Sequence, residues 1–399
     1  MASSARPVIG ARRLLTGSLV AAAGCAGAQG AGEWAGTMDT LPGGRVVVTN
    51  PERGLWGADG GWRVVEETRI GAADGSGPEV LGQISILAED AGGRIWALEQ
   101  ADQTFKVFGR DGRFIRSVGR RGGGPGEMRQ ASGVAQTRDG RLMVVDQQGA
   151  RISVFDTAGT FLGSYPISGG FVIFPWPGGM DTAGYLYHVV PFPGQVFRVA
   201  LVRFDSVMTP LDTLIPPEFK EPDFFEHRSG ESTMRYSVPY APSLRWRLTR
   251  QGDFWFVLTG SYELFRMSAR GDTIRRVTKP FQRVPVTSDE KDSAVVGLKS
   301  FTDQGGTVDR GRIPDVKPAV QDFQVAEDGY LWVNVVQADT AMQGRVFEIF
   351  DPEGRFLGVV RLSFELSSYP APVLRGDHLI AMTQDENGVP YIVRARIER

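Results

Sequence analysis

The sequence predicts an all-β fold, a β-propeller in which four-stranded antiparallel blades form a closed ring, and three observations support it. One strand pattern recurs along the chain, its strands are apolar on both faces, and the composition favours short strands joined by turns. Glycine and proline, present in 51 and 24 copies, break helices and supply turn dihedrals. Hydrophobic residues make up 42% of the chain, which is enough for a large packed core.

The repeat begins with a polar turn that ends in glycine, followed by an apolar strand, a polar turn, a second strand, another turn and a third strand. Its clearest copies are residues 93–115 and 140–162. Seven traces start at Gly44, Gly93, Gly140, Gly184, Gly252, Gly329 and Gly376. Their successive spacings are 49, 47, 44, 68, 77 and 47 residues. The base period matches one propeller blade of roughly 40–50 residues, and the two long spacings indicate insertions near 215–243 and 280–318.

The strand after each repeat glycine is apolar at successive positions, so we expect both of its faces to be buried. The third position after the glycine is Val47, Trp96, Met143, Tyr187, Trp255, Trp332 and Leu379 in turn. A sheet with one solvent-exposed face would alternate apolar and polar residues, whereas a blade packed between two other blades can be apolar at successive positions. We therefore assign the tryptophans of this column to the core between blades rather than to a carbohydrate-stacking platform.

A closed ring is preferred over an open solenoid because the last trace ends at residues 391–399 without room for its outer strand. An N-terminal strand such as residues 62–68 can supply it, so the N- and C-terminal strands would close the ring. We favour six blades, formed by merging the first and last traces into one blade, with seven blades as the alternative. Residues 31–399 then form a single propeller domain.

Residues 1–30 predict an export signal followed by a short linker. Arg6, Arg12 and Arg13 form a basic start, and residues 14–23 form an apolar core too short to span a bilayer permanently. The segment ending in Cys25 resembles the lipobox of bacterial lipoproteins, in which the cysteine is lipidated and becomes the mature N-terminus. We favour a lipid anchor at the cell envelope, with cleavage after residues 26–28 and release to the periplasm or medium as the alternative.

The segment Gly119-Arg120-Arg121-Gly122-Gly123-Gly124-Pro125-Gly126-Glu127, with the repeat phrases on either side of it, carries a family resemblance. It resembles the bacterial six-bladed β-propeller family related to NHL-repeat proteins. The resemblance covers most of residues 37–399 and is sharpest over 84–165. It implies six blades.

The usual motifs of serine hydrolases, P-loop nucleotide-binding proteins and zinc proteases do not occur in the sequence. Charges of both signs are interspersed, with a formal net charge of −2, so no basic face for nucleic acid is expected. Three histidines, His188, His227 and His378, occupy different repeat positions, which argues against one shared zinc site.

Metal binding is the weaker of two site hypotheses. Propellers resembling gluconolactonases bind a divalent cation through carboxylates and an amide from separate blades. Asn50, Glu99 and Asp146 share the sixth position after their repeat glycines and are the corresponding candidates, but such residues also cap strand ends as turn acceptors. We therefore expect no cofactor, with a divalent cation as the alternative.

The first insertion is the stronger hypothesis, because long loops on a rigid scaffold often carry function. It contains aromatic residues that no blade position requires, which we predict to form a binding surface: Phe219, Phe224, Phe225, Tyr236 and Tyr240. We expect a protein or small-molecule ligand at the propeller face or insertion loops, no nucleic acid, membrane contact only through the lipid, and a monomer. The favoured function is a non-enzymatic binding or scaffold protein of the cell envelope. The alternative is a metal-dependent hydrolase or lyase acting at the central channel.

Overall fold

The computed structural model describes residues 33–57, 61–168, 176–192, 199–216, 223–230, 232–342, 344–367 and 369–399. Its described strands are short and mostly antiparallel. In chain order they are β1 (Thr37–Thr40), β2 (Val46–Thr49), β3 (Arg63–Ile70), β4 (Ile84–Glu89), β5 (Ile95–Glu99), β6 (Thr104–Phe108), β7 (Phe114–Val118), β8 (Ala131–Gln136), β9 (Leu142–Asp146), β10 (Arg151–Phe155), β11 (Phe161–Pro166), β12 (Gly179–Met180), β13 (Leu186–Pro191), β14 (Val199–Phe204), β15 (Pro210–Leu214), β16 (Phe224–Ser229), β17 (Ser232–Ser237), β18 (Leu244–Leu248), β19 (Phe254–Leu258), β20 (Glu263–Met267), β21 (Thr273–Thr278), β22 (Val320–Val325), β23 (Leu331–Val335), β24 (Val346–Phe350), β25 (Phe356–Arg361), β26 (Val373–Arg375), β27 (His378–Gln384) and β28 (Pro390–Glu398).

Six of the sheets follow one another around a ring, each built on four strands in blade order. The sheet of blade 4 has six strands in all, because β1 and β2 extend its outer edge. Blade 1 is β4 to β7, blade 2 is β8 to β11, blade 3 is β12 to β15, blade 4 is β18 to β21 and blade 5 is β22 to β25. Blade 6 is β26, β27, β28 and β3. The first strands of neighbouring blades, such as β4 and β8 or β18 and β22, contact one another and therefore lie innermost.

The burial of each strand follows its place in the blade. The second strands β5 and β9 are buried at every position. The outer strand β11 alternates between half-buried and exposed residues, and β7 does the same up to its last residue, the buried Val118. One turn design, in which an aspartate carboxylate accepts backbone N–H groups, recurs at several strand connections. At Asp90 the carboxylate accepts the backbone N–H groups of Gly92 and Arg94, and Gly93 takes a positive φ of 76° that glycine adopts without strain.

The core lies between blades, as the column of apolar residues predicts. Trp96 is in the cluster between blades 1 and 2, Trp255 in that between blades 4 and 5, and Trp332 in that between blades 5 and 6. All three side chains are almost fully buried. The assignment of these tryptophans to the core is confirmed.

The predicted N-terminal strand closes the ring. β3 pairs antiparallel with β28, from Ile70 opposite Ile392 to Arg63 opposite Glu398. The preference for six blades is also confirmed, but the merging of the first and last traces is wrong. The trace at Gly44 becomes β2, which pairs in parallel with β21 on the outer edge of blade 4, because Val48 there packs against the apolar cluster between blades 4 and 5.

Residues 34–57 and 61–70 form a belt along the outer edges of three blades. The belt starts on blade 4 with β1 and β2, reaches blade 5, and ends in blade 6 as β3. On blade 5 the N–H groups of Leu55 and Trp56 donate to the carbonyls of Phe356 and Leu357, at 3.2 and 2.6 Å. Gly54 permits this approach, because a Cβ at that position would lie 2.4 Å from the carbonyl oxygen of Leu357.

Two insertions stand at neighbouring blade junctions. The hairpin of β16 and β17 lies between blades 3 and 4. Helices α1 (Ser288–Gly297) and α2 (Lys299–Asp303) and a 3₁₀ turn (Arg310–Arg312) lie between blades 4 and 5, and a second 3₁₀ turn (Thr340–Met342) lies within blade 5. Both insertions leave the ring at the end that also carries the turns between second and third strands, here termed the BC face; the opposite end is the AB face.

Among the described residues, no helix combines the length and the hydrophobicity needed to cross a membrane.

Candidate functional site

The two insertions pack on each other and form one unit, the rim module, made of residues 223–230, 232–241 and 287–313. Its apolar cluster joins Phe225 and Val238 from the first insertion to Leu298, Phe301 and Ile313 from the second. Phe225 and Phe301 are fully buried in it. The module therefore has a core of its own outside the blades.

The predicted aromatic residues of the hairpin lie on its two opposite sides. Phe225 faces the helices and lies opposite Tyr236 on the paired strand, whereas Phe224 points to the other side, because successive strand residues alternate. The guanidinium of Arg235 lies 5.8 Å from the centre of the Phe224 ring. Tyr236 packs on Phe301 with ring centres 5.1 Å apart, and its hydroxyl is 3.1 Å from that of Ser300.

The other two predicted aromatics are Tyr240 and Phe219. Tyr240 lies half-buried beside the same cluster and takes a positive φ of 59°. Phe219 lies outside the described residues. The sequence therefore located the aromatic half of the module but not the helices against which it packs.

Polar contacts also hold the two insertions together. Arg312 pairs with the carboxylate of Asp223, donates to the carbonyl of Phe224 at 2.8 Å, and stacks 5.0 Å above the Phe225 ring. A cation that joins a carboxylate, a carbonyl and an aromatic face fixes the hairpin against the second insertion more specifically than apolar packing alone.

The helical half is capped and anchored to the ring. Thr287 and Glu290 form a reciprocal capping box at the start of α1. Lys317, just before blade 5, pairs with Glu290 at 2.5 Å, and this pair holds the pKa of Glu290 below its ordinary value. Lys291 is buried and donates to the carbonyl of Ile313 and to Asp315. These contacts fix the orientation of α1 on the BC face.

The outward side of the module presents an apolar residue beside charged ones. Val296 on α1 is 71% exposed, and the neighbouring Lys299 and Asp303 form an exposed pair at 2.6 Å. On the AB face, the turn of blade 3 exposes Val207 to a similar 67%. Val207 therefore serves as a matched reference position away from the module.

The metal candidates Asn50, Glu99 and Asp146 each make hydrogen bonds that support the fold. Asn50 donates to the carbonyl of Gly354 and accepts the N–H of Phe356 on blade 5. Glu99 pairs with Lys106, and Asp146 accepts backbone N–H groups on both sides of its strand. Within the described ranges, no group of three or more His, Cys, Asp or Glu side chains could hold a metal ion. Cys25, the predicted lipidation site, lies outside them.

The three histidines occupy unrelated surroundings. Burial lowers the pKa of His188 to about 4, so this side chain is neutral in the core of blade 3. His227 lies against the Phe301 ring in the rim module. The Nε2 atom of His378 is 2.7 Å from the carboxylate of Glu89, and this hydrogen bond raises the pKa of His378.

Arg375 bridges several blades at the AB end of the axis. It is the last residue of β26, and it donates to the carbonyls of Glu89 and Asp90 in blade 1 and to the Oε1 atom of Gln136 in blade 2. Its Nε atom is 3.3 Å from the carboxylate of Glu327, which follows the inner strand of blade 5. One side chain thus joins four blades where their inner strands end.

Comparison with known proteins agrees with this architecture. Residues 79–245, which span blades 1 to 3, match the profile of the DUF5128 family, described as a 6-bladed beta-propeller. The chain is a six-bladed β-propeller. The resemblance to six-bladed β-propellers that the sequence predicted is confirmed. No curated protein matches the chain.

Among solved structures, this propeller is similar to a protein of Bacteroides fragilis NCTC 9343 that is inferred to be exported. The identity is 12%, the TM-score is 0.51, and the match covers 88% of this chain and 100% of that one. A gluconolactonase of Xanthomonas campestris is 13% identical over 79% of this chain and 87% of its own, with a TM-score of 0.41. A virginiamycin B lyase of Staphylococcus aureus is 9% identical over 84% and 99%, with a TM-score of 0.42. These identities bear on fold alone.

Proposed function

We propose that this propeller is an exported binding protein of the cell envelope and that the rim module is its contact surface for a protein partner. The observation that carries the proposal is the joint packing of the two insertions. Each leaves a different blade junction, yet they share one apolar cluster that the ring does not need for closure. A folded module on a rigid scaffold holds its outer side chains in fixed positions, which reduces the entropy lost on binding.

Several further features support this proposal. The outward side combines the exposed Val296 with charged residues of both signs, which suits a protein surface better than a nucleic acid. The export signal predicted for residues 1–30 and the similar Bacteroides fragilis protein support an envelope location. We expect the protein itself to be a monomer.

The test places a photo-crosslinking amino acid at Val296 in the full chain, expressed in its native envelope, and at Val207 as the matched control. We expect one discrete crosslinked partner from position 296 and none from position 207. Replacing both insertions by short linkers should abolish the interaction while the ring keeps its β-sheet circular dichroism. Equal crosslinking from both positions, or binding by the ring without its module, would contradict the proposal.

Both insertions must be removed together in that experiment. Removing the hairpin alone would expose Phe301 and Leu298, which are buried beneath it. A variant with exposed apolar side chains of this size aggregates for reasons unrelated to partner binding.

We propose a lipid anchor at Cys25 as the means of envelope attachment. Intact-mass spectrometry of the membrane fraction should show an acylated N-terminus at residue 25, and Cys25→Ser should move the protein to the soluble fraction. A soluble, unmodified chain that starts after residue 28 would support simple secretion instead. The alternative function, a metal-dependent hydrolase or lyase, predicts stoichiometric bound metal and turnover of lactone or ester substrates.

A further inference from the structure

A cavity of about 460 Å³ opens on the BC face at the seam between blades 6 and 1. It lies apart from the rim module, which stands at the junctions of blades 3, 4 and 5. The inner strand of blade 1 supplies Gln83 and Ile84, and blade 6 supplies Met382 and Gln384. The connection from blade 5 to blade 6 adds Tyr369. The volume lies within the usual range of sites that bind small molecules.

The floor of this seam cavity is apolar and fixed. Leu81, Ile84 and Met382 are each about 95% buried, and they belong to the cluster that packs blade 6 against blade 1. The backbone N–H of Ser367 donates to the carbonyl of Met382 at 2.9 Å, which holds the blade connection over this floor. A ligand would therefore meet a preformed apolar surface.

The walls of the seam cavity are polar but uncharged. Gln83 and Gln384 are exposed amides at its edge, and each amide both donates and accepts hydrogen bonds. Tyr369 is half-buried in the wall, and burial raises the pKa of its phenol. The phenol is thus neutral at physiological pH and presents an aromatic face with a polar tip.

None of the described residues that line the cavity carries a charge. Two carboxylates next to lining residues are already engaged: Glu99 binds Lys106 and the N–H of Gly82, and Asp385 accepts the N–H groups of its own turn. A charged ligand would lose hydration there without gaining a counter-ion, which is costly. The cavity therefore favours an uncharged ligand.

We propose that the seam cavity binds a neutral pyranose sugar. A pyranose has one apolar C–H face and an edge of hydroxyl groups, which matches an apolar floor and aromatic ring bordered by two amides. The amides of Gln83 and Gln384 would bind adjacent hydroxyls, and Tyr369 would cover the ring. This site is independent of the protein-binding role proposed for the rim module.

The test titrates the full chain, labelled with ¹³C at methionine methyl groups, with glucose, galactose, N-acetylglucosamine and maltose. We expect the Met382 methyl signal to shift with a saturable millimolar dissociation constant for at least one neutral sugar. Glucuronic acid and glucosamine, which match glucose in size but carry a charge, should bind at least tenfold more weakly.

Variants then locate the binding. Gln83→Ala and Gln384→Ala should each weaken it by about tenfold, the usual effect of one lost hydrogen bond. The control Gln251→Ala changes an exposed glutamine on the AB face and should leave binding unchanged. No shift with any neutral sugar at 50 mM, equal binding of charged sugars, insensitivity to both variants, or tighter binding of an N-acetyl dipeptide amide would each overturn the proposal.

Discussion

Truncation of Trp332 to alanine tests whether packing between blades stabilises the ring. Trp332 is 2% exposed; its ring lies 6.0 Å from that of Phe347 in blade 5 and 6.1 Å from that of Trp62 in the belt. A buried tryptophan removes roughly 150–250 Å² from water, worth about 4–6 kcal/mol at 25 cal/mol per Å² as an upper bound. Because part of the cavity collapses, we expect a loss of about 3–5 kcal/mol.

Equilibrium unfolding in guanidinium chloride measures this loss, with two variants as references. Trp332→Phe keeps an aromatic ring in the cluster and should lose about half as much. Ile115→Ala changes a residue that is 44% exposed on an outer strand and should lose less than about 0.5 kcal/mol. A loss below about 1 kcal/mol for Trp332→Ala, with an unchanged denaturant slope, would refute the assignment of this column to the core.

Three further predictions concern polar groups between blades. Arg375→Ala should lower the free energy of unfolding by about 2–3 kcal/mol. Arg375→Lys should restore only part of this loss, because one ammonium group cannot replace the separate N–H donors of the guanidinium. Chemical denaturation of both variants, with the exposed Arg113→Ala as the reference, checks this. Glu348→Gln should cost about 3 kcal/mol in the same assay, since it leaves the buried Lys279 without its counter-ion. The hydrogen bond to Glu89 raises the pKa of His378 in the folded protein. The stability that this pair contributes is therefore complete below the unfolded pKa of about 6.5 and is lost as the pH rises through the pKa of the folded protein. The melting-temperature difference between wild type and His378→Gln should therefore be larger at pH 6 than at pH 9, and a constant difference would contradict the ion pair.

The blades were predictable from sequence because their defining contacts are local. A strand, its turn and the next strand lie within about 15 residues, and aspartates such as Asp90 and glycines such as Gly93 mark the turns by their own chemistry. The closing strand was predictable for a different reason. The last trace lacked one strand and the N-terminus offered an unused one.

The features that the sequence did not predict depend on contacts between residues distant in the chain. β2 shows the repeat pattern, but its place is set by parallel pairing with β21, more than 200 residues later, and no local signal specifies such a partner. To predict the rim module, two insertions separated in the sequence would have to be assigned to one apolar cluster. The helix in the second insertion did carry a local signal, Thr287 followed three residues later by Glu290, which is the capping-box pattern.

The pairing of β3 with β28 has a consequence during synthesis, because a chain emerges N-terminus first. β3 is made more than 300 residues before the strand that will cover its edge, and loop closure over that distance adds only a logarithmic entropy cost. The hazard in the interval is association with other exposed strands. Arg63, Glu66, Glu67 and Arg69 give this strand charges of both signs, and Glu67 later pairs with Arg394 and Arg396 of β28. The same charged residue that discourages wrong partners early thus identifies the correct partner when the last strand arrives.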